Sequence, residues 1–107
     1  MTAMVASPNT VMDPSWYPDS GATNHCTPDC SNLQNKAKYQ GSERIYMGNG
    51  KGLPISSIGH NTFTHNSHVF QLRNILHIPQ IKKNLLSVSK FVRENYVLLS
   101  FILTFAL

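Results

Sequence analysis

All six glycines of this 107-residue chain, and four of its six prolines, fall between Pro18 and Pro79. That punctuation limits the fold more than any other feature. Helix interiors tolerate neither residue well, so this stretch must divide into short strands and turns. Residues 44–47 and 53–58 read as two arms of a hairpin around a glycine-rich GNGKG tip. Residues 69–78 read as a further strand that changes face near Asn74 and is stopped by Pro79. Helical spacing occurs only where Leu85, Val88 and Val92 stand at i, i+3 and i+7, which predicts a helix of at most about three turns, closed by Asn95. Residues 96–107 are apolar, with aromatic and β-branched side chains. They fall short of the roughly 20 residues of a membrane-spanning helix and are expected to form a final buried strand.

The length allows one domain. Hydrophobic residues make up 41% of the chain and charged residues 13%, which excludes intrinsic disorder as the state of the whole. The net charge of +4 comes from dispersed Lys and Arg, without the basic cluster that a nucleic-acid surface needs, so no nucleic-acid partner is expected. The N-terminus lacks both a basic region and a long apolar stretch and does not read as a secretory signal. An intracellular, cytoplasmic and reducing setting is expected, with no membrane partner. Residues 1–14 mix prolines and small residues without an apolar period and are expected to be a disordered linker, with the domain covering 15–107.

The chemistry concentrates at WYPDSGATNH, where Asp19 stands between Pro18 and a Ser20-Gly21 bend. A carboxylate in such a place is presented from a tight turn, and Gly21 allows close backbone approach. Peptide hydrolysis by aspartates needs two carboxylates about 3 Å apart sharing one proton. Asp13, Asp29, Glu43 and Glu94 are the other acids, and none precedes a Ser-Gly or Thr-Gly. The second carboxylate must therefore come from another chain, most simply Asp19 of a second copy across a twofold axis. Histidines 25, 60, 65, 68 and 77 and the cysteines Cys26 and Cys30 lack the close ligand pairs of a zinc site. They read as surface polar residues and unbridged thiols, and neither metal nor cofactor is expected.

WYPDSGATNH, the GNG hairpin, LRNILHIP and KNLLSVSKFVREN together resemble the copia-type retrotransposon Pol polyprotein, in its retropepsin-like aspartic-protease region, over roughly residues 13–96. The resemblance implies a mainly β fold, a small closed or partly open β-barrel with one short helix near the C-terminus. It implies Asp19 as the catalytic aspartate, Ser20 as the hydroxyl bracing paired loops and Gly21 as the turn residue. Gly48, Asn49 and Gly50 resemble the tip of a flap that closes on substrate. The implied activity is cleavage of polyprotein peptide bonds by a homodimer, and the alternative is a non-catalytic barrel module or inactive remnant of Pol. Family members continue with a polar sequence where this chain reads VLLSFILTFAL, so a shortened C-terminal edge is expected.

Overall fold

The computed structural model describes residues 15–105; the expected linker at 1–14 lies outside them. Eight strands and two α-helices follow in order: β1 (Trp16–Asp19), β2 (Cys26–Thr27), β3 (Gln34–Lys38), β4 (Arg44–Tyr46), β5 (Gly52–Pro54), β6 (Ser57–His65), β7 (His68–His77), β8 (Asn84–Ser87), α1 (Val88–Glu94) and α2 (Tyr96–Phe105). Six strands form one sheet in the order β1-β8-β2-β7-β6-β3, and β4 pairs only with β5. The fold is mainly β, as the punctuation demands. Among the described residues the large sheet does not close on itself, and β1 and β3 are its edges.

Three neighbouring strands bend at one level. Asn35 of β3 and Asn74 of β7 take positive φ (50° and 53°), and the β3–β6 and β6–β7 registers each slip there. Asparagine tolerates this left-handed conformation better than most residues. Gly59 lies between them in β6, where a Cβ would stand 2.9 Å from the Gln34 carbonyl, so only glycine lets β3 approach. The extra residue at Asn74 explains the face change read from sequence. Phe70, Leu72 and Ile75 reach one buried cluster and Leu76 the opposite one.

Those two clusters sit on the two faces of the sheet, since Leu86 joins the first and Leu85 the second. The first, with Trp16, Leu33 and Phe91, is covered by the helices; Phe70 and Phe91 stack with centroids 5.6 Å apart. Burial of Phe70, Leu72 and Leu86, each at most 1% exposed, contributes about 2 kcal/mol apiece. The second cluster, with Cys26, Ile78 and Ile81, lies under the β4–β5 hairpin through Leu53.

Two sequence expectations are corrected here. The helix begins at Val88 rather than near Leu85, because Leu85 is held in β8 against Cys26. Residues 96–105 form α2 rather than a closing strand. A short apolar run carries no period that separates a strand from a helix, and here Leu98, Leu99 and Ile102, one helical turn of side chains, pack on the core. Among the described residues no helix is long and apolar enough to cross a membrane.

Candidate functional site

β1 and β2 run antiparallel to each other with β8 between them, parallel to β1 and antiparallel to β2. The connecting residues 20–25 therefore pass over the end of β8, where Ser87 leads into α1. Asp19 stands at the exit of β1, in register with Ser87. Its carboxylate Oδ1 accepts the Gly21 N–H at 2.9 Å, and its carbonyl accepts the Ala22 N–H at 3.3 Å. The side chain is half-buried, and Ser20 and Gly21 are exposed. Gly21 does not have positive φ, and a Cβ there would stand 3.5 Å from Asp19 Oδ1, an ordinary contact. Nothing among the described residues requires glycine at this position.

The inner side of the same loop is tied down by residues that sequence reasoning passed over. Ser87 Oγ donates to the Ala22 carbonyl at 2.8 Å and, as N-cap of α1, accepts the Lys90 N–H at 3.2 Å. His25, expected on the surface, is fully buried. Its Nδ1 accepts the Ser87 N–H at 3.0 Å, so the ring proton resides on Nε2, which faces Glu94 Oε1 at 3.0 Å. Burial lowers the His25 pKa, outweighing the opposing pull of Glu94. Together with the Ser87 N–H, this makes the contact a hydrogen bond from a neutral imidazole rather than an ion pair. Glu94 also receives Lys90 Nζ at 3.0 Å and the Arg73 N–H at 3.2 Å, and Lys90 Nζ donates to the Arg73 carbonyl. Next in the chain, the buried Asn95 accepts the Gln71 N–H at 2.7 Å and donates to the Gln71 carbonyl at 2.9 Å, joining the end of α1 to β7. The sequence signals were a Ser one position before the helix and a Lys-x3-Glu pair within it.

The other described acids are engaged elsewhere, and Asp13 lies outside the described residues. Asp29 caps the short 3-10 turn Cys30–Asn32, and the Ser31 N–H on its side chain lowers its pKa. Glu43 accepts the Tyr39 hydroxyl at 2.6 Å. Among the described residues no three His, Cys, Asp or Glu side chains gather around a point that could hold a metal ion. Cys30 is exposed, and burial pushes the Cys26 thiol up to about 11.

The β4–β5 tip is a turn with a bulge. Gly50 N–H donates to the Met47 carbonyl at 2.8 Å and Met47 N–H to the Lys51 carbonyl at 3.0 Å. The Asn49 side chain accepts the Lys51 N–H at 2.9 Å. Gly50 has φ +84°, whereas Gly48 has neither positive φ nor a crowding neighbour. The six residues singled out from sequence thus form two separate groups, exposed except for the half-buried Asp19. Asp19, Ser20 and Gly21 sit at the sheet edge and Gly48, Asn49 and Gly50 at the hairpin tip, with only Asn49 lining the groove of about 450 Å³ between the hairpin and residues 80–85.

Two similar proteins are the retrovirus-related Pol polyproteins from transposons RE1 and RE2 of Arabidopsis thaliana. They are 38% and 35% identical over 86 residues, which is 80% of this chain and 6% of each relative. The chain thus spans a small part of the relatives it matches. No solved structure matches it. Residues 16–96, from the first strand to the end of the α1 network, match the Pol polyprotein β-barrel domain, and the chain belongs to that family.

Proposed function

We propose that this domain is one half of an aspartic endopeptidase of a copia-type Pol polyprotein, cleaving polyprotein peptide bonds as a homodimer in the cytoplasm. The observation that carries the reading is a single carboxylate, Asp19, presented on a Ser-Gly turn at the end of a sheet-edge strand. A second copy can approach that edge without displacing any described strand. In the dimer Gly21 leaves bare backbone for the opposing turn, and the Ser20 hydroxyl braces it.

In the dimer the two Asp19 carboxylates share one proton. The ionised carboxylate takes a proton from water as the oxygen attacks the peptide carbonyl, and the protonated one supplies a proton as the C–N bond breaks. The β4–β5 hairpin, unpaired on both edges among the described residues, supplies backbone groups beside which an extended peptide can lie. Cys26 and Cys30 are free thiols, which suits a reducing compartment.

The test is cleavage of a peptide library by the full chain, with sedimentation measured in parallel. Asp19→Asn is expected to abolish cleavage, and mixing it with the unaltered chain should lower activity more steeply than dilution does. Cleavage by the variant, or by a strict monomer, overturns the reading; a folded dimer without cleavage leaves a structural module.

A further inference from the structure

The groove between the β4–β5 hairpin and residues 80–85 has two kinds of wall. Its floor is apolar, made by Met47, Leu53, Ile81 and Leu85. Leu53 and Ile81 are buried members of the cluster beneath the hairpin, so this floor is held by the core. Its rim carries Lys51, Lys82 and Lys83, and no acidic residue lines it. Among the described residues the one Lys–carboxylate pair is Lys90–Glu94, so none of the three rim ammonium groups has an acidic partner there. Lys83 Nζ lies 4.3 Å from the centroid of the Tyr17 ring, and Tyr17 precedes Asp19 by two residues in β1. One end of the groove is thereby joined to the strand that carries the carboxylate.

Volume and lining fit a short length of extended chain rather than a compact metabolite. About 450 Å³ lies toward the lower end of ligand-site volumes, and the unpaired hairpin edges offer backbone hydrogen bonds along one side. An apolar floor under a basic rim complements a segment in which an apolar side chain points down and acidic side chains point outward. A nucleic-acid strand would meet the lysines equally well, but no aromatic ring lines the groove to stack a base.

We propose that this groove selects extended peptides in which an apolar residue is flanked by Asp or Glu, with Lys51 and Lys82 reading the acidic side chains. The assignment rests on the endopeptidase reading for its purpose and on the groove alone for its binding. It is therefore tested on the full-length Asp19→Asn chain, which separates recognition from hydrolysis. Three fluorescent probes are compared by polarisation: a decapeptide with Glu on both sides of a central Leu, the same peptide with Gln for Glu, and a single-stranded RNA decamer. The Glu peptide is expected to bind about tenfold more tightly than its Gln form, the sum of a few exposed charge pairs. Lys51→Gln with Lys82→Gln should bring that ratio to about one while leaving the Gln peptide's affinity unchanged. Equal binding of the two peptides, or a preference that survives the double substitution, overturns the proposal. So does tighter binding of the RNA that is lost in the double variant, which makes the rim a phosphate site. Cleavage without acidic preference removes this inference and keeps the endopeptidase reading. Acidic preference in a chain that never cleaves does the reverse.

Discussion

The outer and inner sides of one loop are built differently. Outside, the Asp19 carboxylate accepts, among the described residues, one backbone N–H of its own turn. Inside, a few residues on, His25 and Ser87 join the loop to β8, α1 and, through Glu94, to the backbone of β7. The carboxylate keeps polar atoms available, while its position is set by satisfied buried contacts behind it. A rigid side and an open side are thus separated by the thickness of one turn.

The sharpest way to break this contrast is to remove the inner anchor. His25→Ala strips the Ser87 N–H of its acceptor and Glu94 of a donor and leaves a ring-sized void, so it is expected to cost about 3 kcal/mol, read from the urea midpoint. A loss under about 1 kcal/mol would mean that water replaces the ring and the anchor is dispensable.

Acid probes the same side more gently. Folding lowers the His25 pKa from its ordinary value of 6.5, so as pH falls below about 6.5 the unfolded chain takes up a proton that the folded chain refuses. The histidine's contribution to stability is flat above that point and falls beneath it, by at most about 1.4 kcal/mol per pH unit. The lowered carboxyl groups of Asp29 and Glu43 act only in the carboxylate range, which leaves the window from pH 6.5 to 5 to the histidine. Thermal melts across that window, with the His25 ring followed by NMR, check the sign; rising stability on acidification would contradict a neutral buried imidazole.

The smallest effect belongs to the outer side. Asp19→Asn keeps an oxygen for the Gly21 N–H and should change stability by less than about 0.5 kcal/mol. A larger shift in melting temperature would show the turn carrying load that its single contact does not suggest.

The hairpin and β7 were legible because Gly and Pro mark where the backbone must turn, and the Asn74 bend was legible from a break in alternation; β3 and most of β6 were not read, and the arm expected at 53–58 ends at Pro54, with Ser57 and Ile58 belonging to β6. The Asp19 turn could be read because its residue types are local. The anchor behind it was hidden for the opposite reason: His25, Ser87 and Glu94 are far apart in sequence, and their meeting depends on β8 entering between β1 and β2. Nothing local distinguishes a buried histidine from an exposed one. Residues 96–105 misled because Tyr, Val, Phe and Ile favour strands when read singly, while packing of Leu98, Leu99 and Ile102 on Phe91 and its neighbours selected a helix.

The pairing of β1 with β8 joins Trp16 to Asn84, nearly opposite ends of the domain. Closing so long a span is entropically costly and slow relative to making neighbouring hairpins. During synthesis β6 and β7 can zip together as soon as they leave the ribosome, yet the aspartate's strand has nowhere to dock until residues 84–87 follow. A growing polyprotein would in this way carry its first strand undocked until translation passes the far border of the domain.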